Sequence, residues 1–181
     1  MCLHLLPSIE VLPSLESEVA RQLTQQLILA TRWLRAEVSE SHIPIGLFGA
    51  YQDAEIALSA AAFLGNEVGA VVSYQGSPDK SMNHLPEIKA PTLLLVNEGD
   101  DALFTANVQA SWWLHCTQQL TLVTGWPRLL RDLSVTPAAG QLAGNWYRQH
   151  LMGRKPIKAF PGQLFTATRG YDRTQETIYY H

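Results

Sequence analysis

Gly49, Tyr51 and Asp53 stand at the spacing Gly-x-nucleophile-x-Gly, the signature of a sharp turn between a buried strand and a helix that lifts a small nucleophile above a sheet. Serine suits such a turn because its short Oγ can sit at the tip and lose a proton to a histidine. Tyrosine carries its oxygen a ring length away, so Tyr51 does not simply replace it. Asp53 fills the place of a glycine that lets helix and strand backbones approach, which predicts that the reason for a strained turn is gone. Further along, Leu93–Asp100 reads as an apolar strand running into Asn-Glu-Gly-Asp, which offers Asp100 as an acid, with Asp101 beside it. A third stretch, Thr124–Leu129, holds Trp126 and Arg128 after another apolar run. Arginine stays protonated at neutral pH, so Arg128 can neither take a proton from a nucleophile nor return one to a leaving group.

The elements that must position these residues alternate along the chain. Pro13-Ser14 opens a helix to about Val38, with Val19, Leu23, Leu27, Ala30 and Leu34 on one face and Glu16 and Glu18 in its first turn. Pro44 precedes a strand at Ile45–Phe48, and the helix that follows carries Ile56, Ala60 and Leu64 inward. Val68–Ser73 and Thr92–Val96 have the β-branched, apolar character of buried parallel strands. A helix over Leu103–His115 leads to a strand at Leu120–Val123, and Thr136-Pro137 supplies an N-cap and first position for a helix to about Leu151. Strands alternating with helices predict a parallel sheet of about four to five strands with helices on both faces. Of Trp112-Trp113, one is expected to face the core and the other a groove or partner.

With these segments in place, Leu3–Leu151 resembles the dienelactone-hydrolase-like branch of the α/β-hydrolase family, in its C-terminal half only. The matching stretches are Ile43–Leu58, Gly69–Gly76, Leu85–Asp101 and Leu120–Leu129. The resemblance implies a partial α/β-hydrolase fold over residues 1–152. It also puts Tyr51 in the nucleophile's place, Asp100 in the acid's and Arg128 in the histidine's. The family's early strands and oxyanion loop have no counterpart, so the resemblance implies a degenerate, non-catalytic protein. Tyr51, Trp126, Arg128 and Asp100 then line or plug a vestigial pocket, with Asp100 and Arg128 as a candidate ion pair. The plainer role for Asp100 is to cap the helix that begins near Ala102. Two other readings stand beside this one: an esterase with an atypical active site, using Tyr51 or Cys116 as nucleophile, and a small-ligand-binding domain.

The composition fits one domain: 181 residues, 46% hydrophobic, net charge −3. No apolar run approaches the ~20 residues of a membrane span. The N-terminus lacks a basic, apolar leader pattern, which makes the cytoplasm the expected location. The two cysteines, Cys2 and Cys116, lack metal-ligand spacing and read as buried thiols, and the six histidines are scattered. No metal or cofactor is expected. The segment 153–181 differs, with five basic residues against two acidic ones for a net charge of +3. Its Arg154, Lys155, Phe160, Phe165, Arg169, Tyr171, Tyr179 and Tyr180 mix cations and aromatics as a docking arm does. Folding back over the chain's own sheet is the equal alternative. The strand at Ile45–Phe48 would lie at an exposed sheet edge, to be covered by Cys2–Leu6, a second copy or another protein. Together these features predict a structural or interaction subunit of a protein complex. Nucleic acid is not an expected partner, since five scattered cations make no basic stripe.

Overall fold

The structure, a computed structural model, describes residues 13–37, 43–124, 135–152 and 166–167. The described elements are α1 (Pro13–Glu37), β1 (Gly46–Ala50), α2 (Gln52–Leu64), β2 (Ala70–Tyr74), β3 (Thr92–Asn97), α3 (Asp101–Ser111), β4 (Gln118–Val123), α4 (Pro137–Leu151) and β5 (Thr166–Ala167). They form one sheet in the order β1-β2-β3-β4-β5. The first four strands are parallel, and β5 joins antiparallel through Leu120–Ala167 and Thr121–Thr166. The expected partial α/β-hydrolase fold is therefore present.

Residues alternate across the sheet because successive side chains in a strand point to opposite faces. Val71, Leu94, Val96 and Leu120 join the cluster beneath α2 and α3, with Leu27 and Ile28 of α1 packed against it. Ala70, Val72, Tyr74, Leu93 and Leu95 join a second cluster with Ala139, Ala143 and Trp146 of α4. Every residue of β2 and β3 is buried, as a parallel sheet covered on both faces requires. At the β1 edge, strand β1 pairs with β2 alone among the described residues, and Phe48 is 40% exposed.

Local chemistry sets several boundaries. Thr136 caps α4 by accepting a hydrogen bond from the Ala139 amide at 3.1 Å, with Pro137 as the first helical residue. Two threonines buried in α1, Thr24 and Thr31, satisfy their hydroxyls by donating to the carbonyls of Ala20 and Leu27 one turn back. The Trp pair departs from expectation: α3 ends at Ser111, so Trp112 and Trp113 lie past the helix and both are about half exposed, while Leu114 takes the inward place.

The last turn of α4 lies over the amino ends of β1 and β2. A methyl group on Gly46 would lie 2.6 Å from the Tyr147 ring, and one on Gly69 would lie 2.6 Å from Leu151. Nearby, the Trp146 indole donates to the Pro91 carbonyl at 3.3 Å and its ring meets the His150 ring at a tilt of 54°, with centroids 4.1 Å apart. Burial holds the His150 imidazole below its ordinary pKa of 6.5. The unfolded chain therefore takes up the proton first, and stability is lost as pH falls through the ordinary value and then the lower folded one. Unfolding midpoints measured across that acid-side window should fall in the native chain and fall less steeply in His150→Leu. Equal slopes would remove His150 as the cause.

Candidate functional site

In a parallel sheet the carboxyl ends of the strands gather their connecting loops at one rim, where open α/β sheets bind ligands. Here that rim is built by the turns after β1, β2 and β3. The turn after β1 is strained. Tyr51 has φ 55° and ψ −119°, a backbone region that side-chain-bearing residues rarely adopt. Its amide donates to the Tyr74 carbonyl at 2.8 Å, and its carbonyl accepts from Ala54 at 3.2 Å, so strand and helix both hold the turn. Gly49 makes the geometry accessible. A Cβ there would run into the Asp53 carbonyl oxygen and lie 2.6 Å from Ala54 Cα. The expectation that Asp53 removes the reason for a strained turn is thus corrected: the glycine on the strand side alone provides the close approach.

The turn after β2 is strained as well. Gln75 has φ 53°, and its amide donates to the Leu95 carbonyl at 2.8 Å. Its side-chain Oε1 accepts from the Asn97 amide at 2.6 Å, which ties the end of β2 to the end of β3. Beside it, the buried Tyr74 hydroxyl donates to Asn97 Oδ1 at 3.0 Å, while the Tyr74 ring meets the Tyr51 ring edge-on at 5.7 Å. Gly76 abuts Ala54 so closely that a side chain would collide with it, and the Gly76 carbonyl accepts from the buried Asn107 amide at 3.0 Å. After β3, Gly99 at φ 88° turns the chain into Asp100. The Asp100 carboxylate accepts from the Leu103 amide at 3.1 Å, as the capping role predicts.

Tyr51, Gln52, Glu55, Gln75 and Ser77 line a pocket of about 210 Å3 at this rim. Tyr51 thus borders a cavity among the described residues, and the expected plug with Trp126 and Arg128 involves residues outside them. Among the sequence candidates, the structure brings Tyr51 and Asp100 to the same rim. Trp126, Arg128 and Cys2–Leu6 lie outside the described residues, as do Arg154, Lys155, Phe160, Phe165, Arg169, Tyr171, Tyr179 and Tyr180. The proposed Asp100–Arg128 pair lies outside them too.

Three described histidines sit elsewhere. His150 is over the amino ends of the strands, His115 lies between α3 and the start of β4, and His84 packs on Phe63 near the end of α2. Cys116 also lies before β4. Burial pushes its thiol up from the ordinary range, and the sulfur bonds to the Thr92 hydroxyl at 3.7 Å, an environment unsuited to a nucleophilic thiolate. Among the described residues no His, Cys, Asp and Glu cluster fits a metal ion. No described helix is long and apolar enough to cross a membrane. Sequence reasoning passed over Glu55 and Gln75. Glu55 carried a findable signal, one helical turn beyond the elbow residue. Gln75 carried none, because its conformation and partner arise from the pairing of β2 with β3.

No protein-family model matches the chain. A crystal structure of dienelactone hydrolase from Anabaena variabilis superposes with a TM-score of 0.64 and 35% sequence identity, covering 73% of this chain and 61% of that one. A protein named "Putative phosphoribosyl transferase", found in two strains of Mycobacterium tuberculosis, is 36% identical over 134 residues, 74% of this chain. The chain spans only 30% of that relative's length. These findings overturn one expectation. A chain read as no enzyme, on Tyr51 and Arg128 in the nucleophile and histidine positions, is similar to proteins that both bear enzyme names. They lend no support to a pseudoenzyme or a complex subunit. In fold the chain is a partial α/β-hydrolase, and in sequence it is similar to a dienelactone hydrolase over part of that protein's length.

Proposed function

We propose that the chain carries a hydrolase-type site with atypical chemistry, acting on a small ester or lactone in the pocket at the carboxyl ends of the strands. The observation that carries this reading is the backbone of Tyr51. At φ 55° and ψ −119° it retains a conformation costing roughly 1–3 kcal/mol, of a kind that persists where a site over-determines it. That strained turn borders a cavity lined by a carboxylate, two amides and two hydroxyls.

Glu55 lies one turn beyond Tyr51 on α2 and is the base that this site offers. In the proposed reaction Glu55 takes a proton from water as the water oxygen adds to the ester carbonyl carbon. Collapse of the adduct breaks the bond to the alcohol oxygen, and Glu55 returns the proton to the departing alkoxide. Ester and water become acid and alcohol, with no covalent enzyme intermediate. Tyr51 forms the wall of the pocket on the elbow side. Turnover of p-nitrophenyl acetate and γ-butyrolactone by the full chain tests the reading. Glu55→Gln should lower kcat by about 10²-fold or more. Turnover that survives in Glu55→Gln removes the proposed base.

A second reading is favoured by the histidines, none of which among the described ones reaches the rim: the pocket binds a small ligand and does not turn it over. Saturable binding without hydrolysis would select it. Residence in the cytoplasm remains part of the proposal, as does a partner or second copy pairing with the edge of β1. Sizing of the full chain across concentrations tests the pairing, and a monomer throughout rejects self-association.

A further inference from the structure

The side-chain amide of Gln75 has a chemically fixed orientation. The backbone group it meets at 2.6 Å is the Asn97 N–H, which only donates, so the acceptor Oε1 must face Asn97. The opposite end, Nε2, carries two N–H donors, and Gln75 lines the pocket together with Tyr51 and Glu55. Two further features hold the group in place. Its backbone stands at φ 53°, a strained value for a residue with a side chain, and its own amide is tied to the Leu95 carbonyl at 2.8 Å. A donor locked at both backbone and side chain needs no reorganisation when charge develops opposite it, which is the condition under which a hydrogen bond lowers a barrier most.

We infer that Gln75 Nε2 is the donor that binds the carbonyl oxygen of the ligand and stabilises the negative charge that grows on that oxygen as water adds. The inference rests on the ester- or lactone-cleaving reading above and names a residue for it. It also selects among substrates, favouring a compact neutral carbonyl compound whose oxygen can reach the mouth of the β2 turn while its carbon faces Glu55. A carboxylate substituent would meet the Glu55 charge in the same small cavity.

Gln75→Glu isolates the proposed role. A glutamate oxygen still accepts from the Asn97 amide, but the group aimed at the pocket becomes an acceptor. The thermal midpoint should stay at the native value while kcat for p-nitrophenyl acetate falls by about 10²-fold with KM little changed. Independently of turnover, titrating the native, 15N-labelled chain with 2-pyrrolidinone, a stable neutral carbonyl probe, should shift the side-chain NH2 signals of Gln75, assigned by their loss in Gln75→Glu. An unchanged kcat in Gln75→Glu overturns the inference while leaving the hydrolase reading in place. So does a titration that moves the Gln52 amide and leaves Gln75 still. A native chain that neither cleaves the ester nor shifts any pocket signal overturns the hydrolase reading, and this assignment falls with it.

Discussion

Gly49→Ala should unfold the chain at markedly lower temperature, with a loss of about 3 kcal/mol or more, which for a protein of this size is roughly 6–12 °C in Tm. The added methyl would run into the Asp53 carbonyl oxygen and sit 2.6 Å from Ala54 Cα, both backbone atoms of the first turn of α2. A flexible side chain could swing aside, but backbone in a helix can yield only if the helix moves off the sheet. That movement is costly because Ala54, Ile56, Ala57 and Leu58 are buried within two turns. The same displacement would open the Tyr51 turn and enlarge the pocket, so ligand binding should fall together with stability. A variant that melts within a degree or two of the native chain would show that α2 does not press on β1 as described.

Leu58→Ala should cost about 2–5 kcal/mol, because it removes a fully enclosed side chain and leaves a cavity that the surroundings fill only in part. Leu58 is 0% exposed and belongs to the cluster in which α2 bridges the sheet and the ends of the neighbouring segments, with Leu85, Ile88 and Ala90 among its members. Urea unfolding monitored by far-UV circular dichroism gives the number, read from the midpoint at constant slope. Leu29→Ala serves as the control, since Leu29 lies 66% exposed on α1 and should change stability little. Equal effects from the two substitutions would contradict the assigned core.

Much of the fold was legible because period and punctuation agree in this sequence. Pro13, Thr136 and Pro137 mark helix starts that the structure keeps, and the apolar runs at β2 and β3 read as strands buried on both faces. Strand ends moved by one or two residues, as with β1, which runs to Ala50 instead of stopping at Phe48. The Trp112-Trp113 pair misled because helical spacing was extended past Ser111, where the chain turns towards β4. The candidate site was harder. Tyr51 could be found from its spacing to Gly49, but the type of residue at a strained turn says nothing of whether the strain survives. That depends on Gly49 meeting Ala54 across two elements. The clamp from Gln75 to Asn97 joins residues 22 positions apart, and no local pattern announces it. Matched residue by residue to a triad, Tyr51 and Arg128 exclude the usual chemistry, and that is as far as such a match reaches. The other polar groups that the same rim brings together, Glu55 and Gln75 among them, lie outside any triad pattern.

The order of the sheet carries a consequence for how the molecule is made. Strands β1 to β4 pair in the order in which they occur in the chain, each beside its predecessor. A growing polypeptide can therefore lay down the sheet progressively, every new strand meeting a neighbour already in place, with no early strand held waiting for a distant mate. Among the described strands only β5 reverses direction, and it comes after the other four in the chain, on the flank of β4. Among the described strands, the outer flank of β4 is thus covered only after the four parallel strands have been made.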